Sequence, residues 1–177
     1  MSARMLPTLA LGLAYLAANE AAAGPELVAY PKGFERDFVL YNKVDRPDRK
    51  TVRFMYADPA AVEAARPGEE LPHGTVLVME DHKAQLDGET AVVDGDGRLV
   101  PTDEVTNLFV MEKQVGWGAD YPPEKRNGEW EYAWFLADGT AKADARFDGC
   151  FACHQSRAGR DFTFTFAKWV LDGKPAL

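Results

Sequence analysis

The sequence is poor in cysteine and histidine and has no surplus of positive charge. Its 177 residues include two cysteines and three histidines, and the formal net charge is −8. An acidic balance argues against nucleic acid as a partner, because phosphates bind to basic surfaces. The few cysteines and histidines also disfavour a structural zinc site, which usually takes four such ligands in paired spacing. No low-complexity tract and no repeat with a period of about 20 to 50 residues is present, which excludes a solenoid.

The N-terminal apolar run is too short for a membrane-spanning helix, which takes about 20 residues. It extends over Leu9–Ala18, after a basic residue and before Ala21–Ala23, in the order typical of a secretory signal. We therefore predict a signal peptide at residues 1–23, over the alternative of an uncleaved anchor, and a periplasmic protein with no membrane attachment after cleavage. Cleavage would remove Arg4 and Glu20, so the net charge would stay at −8. The remaining residues 24–177 have the length of one domain.

Both cysteines lie in the segment Cys150–His154, which has the sequence Cys-Phe-Ala-Cys-His. This is the attachment signature of c-type haem. On a helical turn the three reactive side chains share one face, so two thiols can bond to the porphyrin edge while the imidazole reaches the iron. We predict haem c attached through Cys150 and Cys153, with His154 as the metal ligand. The alternative is a redox dithiol, which expects a βαβ context that is not found around Gly149.

The end of the chain contains no second iron ligand. Only 23 residues follow His154, and they include neither methionine nor histidine. This excludes the usual small electron-transfer cytochrome c, whose methionine ligand lies downstream of the motif. Strand-like segments with glycine and proline between them also argue against the all-helical cytochromes c′.

The remaining patterns predict a chain rich in strands with a few helices. Residues 34–41 are apolar and fit either a short helix or a strand. Asp94–Gly97 is interpreted as a hairpin turn rather than a calcium loop, because the next ligand positions hold Arg98 and Leu99. Predicted strands cover 51–56, 75–79 with an extension to 83, 107–111, 130–135 and 162–166; predicted helices cover 59–65 and 144–156; 44–50 is a predicted loop.

Several stretches resemble the cytochrome P-460 family, which includes the cytochromes c′-beta. The resemblance implies an α+β fold, mainly antiparallel β-sheet with a few helices, and a haem-bearing helix near the C-terminus. It also implies a homodimer and one five-coordinate haem. The stretches are 30–34, 52–59, 73–80, 127–130, and 150–154 together with 161–166.

The resemblance distinguishes two groups by one lysine. Family members named P-460 have a lysine bonded to the porphyrin and oxidise hydroxylamine, whereas the cytochromes c′-beta bind nitric oxide and carbon monoxide in an apolar pocket. Here Met79 stands at the lysine position, and Lys83 is about 13 Å farther along the strand. The likeness therefore favours ligand binding, with Met79, Phe54 and Met55 as candidate lining residues.

Arg53 matches an arginine of the family motif and is the candidate polar group near haem, pairing with a propionate or a bound ligand. The alternative is a solvated arginine at a strand edge. His73 and His82 are predicted to be surface histidines. Three carboxylates are expected on solvent-facing strand positions, namely Glu80, Glu112 and Glu131.

The sequence thus predicts a periplasmic monohaem cytochrome whose open iron site binds small diatomic ligands, with a partner cytochrome for electron transfer. Two other haem proteins remain alternatives. One is an oxidoreductase acting on hydroxylamine or nitric oxide. The other is an electron carrier with Met79 or Met111 on the iron.

Overall fold

The structure, a computed structural model, describes residues 25–177. The predicted signal peptide at residues 1–23 lies outside this range. Over the described residues, every helix is too short or too polar to cross a lipid bilayer.

The fold is built on one five-stranded sheet. Its strand order is β1-β2-β3-β6-β7, and each neighbouring pair is antiparallel. Strands β4 and β5 form a separate two-stranded ribbon. The strands are β1 Val39–Arg46, β2 Thr51–Ala57, β3 Val76–Ala84, β4 Leu86–Asp87, β5 Thr90–Ala91, β6 Pro101–Lys113 and β7 Trp130–Phe135.

Four short α-helices accompany the sheet, which confirms the α+β class predicted from the resemblance. They are α1 Phe34–Asp37, α2 Pro59–Ala64, α3 Asp148–Gln155 and α4 Thr165–Leu171. Single 3-10 turns lie at Pro25–Leu27, Pro47–Arg49, Pro123–Lys125 and Ala158–Arg160.

Both faces of the sheet carry apolar side chains, because successive residues of a strand point to opposite sides. One face packs against the N-terminal segment, where Val28 and Phe34 are buried with Val110 and Phe135. The other face packs partly against the helices, where Phe166 of α4 is fully buried. The functional site lies on this second, helix-facing side.

Helix α2 begins as its sequence predicts. Asp58 is the N-cap, its Oδ1 accepts a hydrogen bond from the Ala61 backbone N–H at 2.8 Å, and Pro59 fills the first helical position. Oδ2 of the same carboxylate accepts from the Val76 N–H at 2.8 Å. One cap therefore also fixes the start of β3 beside the helix.

The predicted strand at 162–166 is wrong. Asp161 and Phe162 both adopt left-handed backbone conformations, with φ of 46° and 57°, and α4 begins at Thr165. The alternating phenylalanines therefore do not share one sheet face. Phe162 packs against the main core, Phe164 packs on His154, and Phe166 is buried at 0% exposure.

Other boundaries also move. Three of the seven residues of the predicted loop at 44–50 belong to β1, which continues to Arg46 because residues 44–46 pair with β2. The haem-motif helix begins at Asp148 rather than at 144. Segment 34–41 contains both a helix and the start of a strand. The predicted turn at Asp94–Gly97 is confirmed by the hydrogen bonds from Asp94 N–H to Arg98 and from Gly97 N–H to Asp94.

Candidate functional site

Helix α3 contains both cysteines and His154 and is held against β7. Phe151 is buried and packs edge-on against the Tyr132 ring at 5.0 Å. The buried Asn127 amide donates to the Phe151 carbonyl at 3.1 Å and to the Tyr132 hydroxyl at 2.8 Å. These contacts fix the helix relative to the sheet.

The imidazole of His154 has a defined orientation. Its Nδ1 lies 2.6 Å from the Phe162 carbonyl oxygen, which can only accept, so Nδ1 carries the proton. Tyr132 and Phe164 pack edge-on against the ring, each with a centroid distance of 5.1 Å. Burial lowers the pKa of His154, and the bond to Phe162 opposes this only in part. The neutral ring with Nδ1 protonated leaves Nε2 as the nitrogen that can bind a metal.

The two cysteines are free thiols of different exposure. Cys150 is partly buried and Cys153 is exposed. Burial, and to a lesser extent the nearby Cys153, raises the pKa of the Cys150 thiol. Reactive redox dithiols have lowered pKa values, and they belong to a βαβ setting that this antiparallel sheet does not provide. The geometry therefore disfavours the dithiol alternative.

A cavity of about 580 Å³ separates α3 and the start of α4 from the sheet. Cofactor and ligand sites typically occupy about 300 to 1,000 Å³. The two thiols and the imidazole all lie on its wall. The other lining residues are mainly apolar: Tyr41, Val44, Met55, Leu77, Val78, Met79, Phe109, Val110, Met111, Tyr132, Trp134, Gly149, Phe164 and Phe166, with Thr163 and Thr165.

A row of apolar side chains crosses the sheet beneath this cavity. Met55, Met79, Phe109 and Trp134 are direct partners on four neighbouring strands. All four are only partly buried, although they lie near the centre of the sheet. Apolar surface left uncovered in a concave site is typical of a ligand-binding groove.

Three arginines supply positive charge to the same cavity, namely Arg46, Arg49 and Arg53. Arg53 Nε donates to Asp81 at 2.8 Å, and its side chain is 18% exposed. Arg46 is paired with the exposed Asp48 at 3.1 Å. The Arg53 guanidinium is thus held by a buried carboxylate while it lines the cavity, and Arg53 is not a solvated strand-edge residue.

The structure brings together all but one of the predicted site residues. Cys150, Cys153, His154, Arg53 and Met79 line the same cavity, as Met55 does.

Phe54 lies apart from them, on the opposite face of the sheet. Its ring stacks on His82 at 4.3 Å, and the Lys43 ammonium lies 4.5 Å from the ring centroid. Strand alternation accounts for this placement, since Arg53 and Met55 on either side of Phe54 both face the cavity.

The remaining polar predictions are corrected in part. His73 is exposed and bonded to Glu129, as expected of a surface histidine. His82 is largely buried, with its side chain 13% exposed. Glu80 and Glu131 are buried at 4% and 1% exposure, so the expectation that they face solvent is wrong. Glu80 bonds to Tyr56 of β2 and to His82 two residues along β3, and Glu131 bonds to Tyr121 of the loop before β7.

Sequence reasoning missed the aromatic part of the wall. Tyr132, Trp134 and Phe109 line the cavity but were interpreted only as strand residues. The available signal was the alternation of β7, which places Trp130, Tyr132 and Trp134 on one face. Whether this aromatic face of β7 lines the cavity depends on where α3 packs, and the strand pattern does not specify that.

The residues present fit a haem. Two thiols and an oriented imidazole lie beside an apolar cavity of suitable volume, and arginines are available for carboxylate groups. A search of curated proteins finds no match for this chain. A family model described as Cytochrome P460 matches residues 31–165, most of the chain. The chain belongs to the cytochrome P460 family and is a haem-binding cytochrome.

Proposed function

We propose that this protein is an exported monohaem c-type cytochrome that binds small diatomic ligands, such as nitric oxide or carbon monoxide, at an open iron site. The observation that supports this most directly is the partly exposed apolar row of Met55, Met79, Phe109 and Trp134 in the cavity that also contains the thiols and the imidazole.

In this proposal Cys150 and Cys153 hold the haem through thioether bonds, and Nε2 of His154 is its protein ligand. Haem, when bound, supplies an iron that can take one further small ligand. The Phe162 carbonyl keeps His154 in the required tautomer. Arg53, already ordered by Asp81, is placed to pair with a propionate or with a bound ligand.

The apolar wall determines which ligands are favoured. Methionine and phenylalanine side chains offer no strong hydrogen-bond donor and exclude water, and the Trp134 indole N–H already donates to Asn107 Oδ1 at 2.9 Å. Neutral diatomic molecules then bind without losing hydrogen bonds to solvent, whereas anions lose their hydration. Met55, Met79 and Phe109 are the residues that we assign to this exclusion.

A second candidate is an electron carrier with a methionine on the iron. It is favoured by one observation, that Met79 and Met111 both line the cavity. The hydroxylamine-oxidising alternative has less support, because no lysine lines the cavity within residues 25–177. Lys83 instead pairs with the exposed Glu104 at 2.6 Å.

Carbon monoxide distinguishes the two candidates. We expect the ferrous wild-type protein to bind carbon monoxide at once, with the same spectrum in Met79→Leu and Met111→Leu, since leucine keeps the volume and apolarity of the site. A methionine-ligated carrier gives a low-spin wild-type spectrum that resists carbon monoxide until the ligating methionine is replaced. That result would contradict the open site.

Export to the periplasm, a homodimeric assembly and electron exchange with a partner cytochrome complete the proposal. Export is supported by the N-terminal sequence order and by the proposed covalent haem attachment, which is completed outside the cytoplasm. The dimer and the redox partner are supported by the family resemblance.

A further inference from the structure

The backbone that follows α3 is strained at two consecutive residues. Asp161 and Phe162 have φ values of 46° and 57°. These values lie in the left-handed region, which residues other than glycine rarely adopt. Aspartate tolerates this conformation better than most residues, but phenylalanine does not. Contacts elsewhere in the fold must therefore hold the loop in place.

The carboxylate of Asp161 supplies these contacts. Its Oδ2 accepts from the Leu71 backbone N–H and from Lys113 Nζ, both at 2.9 Å, and its Oδ1 accepts from Trp130 Nε1 at 3.3 Å. The Asp161 and Lys113 side chains are only 6% and 3% exposed. The three donors come from the segment before β3, the end of β6 and the start of β7. The loop is thus tied to the sheet at one point.

Phe162, the next residue, connects this anchor to the site. Its carbonyl oxygen accepts from His154 Nδ1 at 2.6 Å, and its own N–H donates to the Arg157 carbonyl at 2.9 Å. Its ring lies against Gly128, where an added Cβ would come within 3.0 Å of a ring carbon. Ring and carbonyl are therefore both constrained, and the carbonyl is one peptide unit from the Asp161 anchor.

We propose that Asp161 is a positioning residue for the iron ligand. Its buried ion pair with Lys113 fixes the Phe162 carbonyl, which accepts the hydrogen bond from His154 Nδ1–H and thereby directs Nε2 to the metal. A hydrogen bond from a ligating histidine to a carbonyl orients the ring and makes it a stronger donor. The inference rests on the proposed function, since it concerns how the haem ligand is held.

The test uses Asp161→Asn in the exported, haem-loaded protein. Asparagine has nearly the same shape and tolerates the left-handed backbone equally well, but it removes the charge and one acceptor oxygen opposite Lys113. We expect the iron–histidine stretching frequency of the ferrous protein, measured by resonance Raman, to fall and the reduction potential to rise. Both shifts follow from a weaker hydrogen bond at Nδ1, which makes the imidazole a poorer donor.

Leu108→Ala is the matched control for general loss of stability. Leu108 is 2% exposed and packs on the opposite face of the sheet from the cavity, so its truncation destabilises the fold without touching the loop. We expect a lower unfolding midpoint with an unchanged iron–histidine frequency. An unchanged frequency and potential in Asp161→Asn, or equal shifts in Leu108→Ala, would overturn the inference.

A second variant covers the case in which Asp161→Asn does not fold. Trp130→Phe removes the hydrogen bond to Oδ1 and part of a fully buried ring but keeps the ion pair between Asp161 and Lys113. We expect shifts of the same sign but smaller size, and their absence would overturn the inference. Wild-type protein without haem would instead contradict the proposed function itself, a result visible before any variant is made.

Discussion

At the residue scale, His154 is the side chain whose placement most constrains the chemistry. Its Nδ1 donates a hydrogen bond to the Phe162 carbonyl, and the rings of Tyr132 and Phe164 pack edge-on against the imidazole. The two thiols that precede it in α3 line the same cavity. The proposed function therefore gives attachment of the porphyrin and ligation of the iron to different residues of one helix, and the two roles can be separated by mutation.

Replacing His154 by alanine tests this separation. In the proposed function the thioether bonds to Cys150 and Cys153 do not depend on the imidazole, so we expect covalent haem to be retained while the iron loses its protein ligand. Absorption spectra of the ferric and ferrous protein should shift, and the mass of the denatured chain should still include haem. A spectrum identical to wild type would remove His154 as the ligand.

At the element scale, β2, β3 and the start of β6 share a buried polar cluster on the face away from the cavity. His82 Nδ1 lies 2.9 Å from the Thr102 carbonyl, and Nε2 lies 2.9 Å from Glu80. Because both nitrogens face acceptors, the doubly protonated ring suits the site. The Glu80 bond accordingly raises the pKa of His82, against a smaller opposing effect of burial.

This cluster predicts a pH-dependent contribution to stability. A pKa raised in the folded state stabilises the fold fully below the pKa of the unfolded chain, about 6.5, and the stabilisation is lost as pH rises through the folded-state pKa. We expect His82→Gln to lower the free energy of unfolding by about 1–3 kcal/mol near pH 6 and by less near pH 9. Urea denaturation of both proteins at the two pH values measures this. A difference that grows with pH would contradict the assignment.

The elements also show which structures local sequence can predict. Helix α2 was predictable because Asp58 and Pro59 contain its start signal, and the strand around Met79 was predictable from its apolar run. The loop at Asp161 and Phe162 was not, because its backbone is held by Leu71, Lys113 and Trp130, which are distant in sequence. The alternating phenylalanines of residues 162–166 favour a strand locally, but these tertiary contacts override that preference.

The same reason explains the misplaced carboxylates and the misplaced aromatic residue. Glu80 was expected to face solvent, yet its partners are Tyr56 and His82, and single-strand alternation does not show which face another segment covers. Strand alternation already puts Phe54 and Met55 on opposite faces, but which of them faces the cavity depends on which face the C-terminal helices cover. The prediction of covalent attachment depends on the spacing of Cys150, Cys153 and His154 and needs no tertiary information.

At the scale of the whole molecule, the sheet is enclosed differently on its two sides. The N-terminal segment closes one face with a continuous aliphatic and aromatic core. On the other face the helices leave a cavity of about 580 Å³ above an apolar row. A chain of this length can bury a core without internal cross-links, which leaves both cysteines for attachment of the cofactor.

The most direct test of this account is the mass of the denatured protein after periplasmic expression with haem-maturation machinery. We predict one species, the chain beginning at Gly24 with one haem retained through Cys150 and Cys153. A colourless protein at the mass of the bare chain, with both thiols still free to react, would contradict the account.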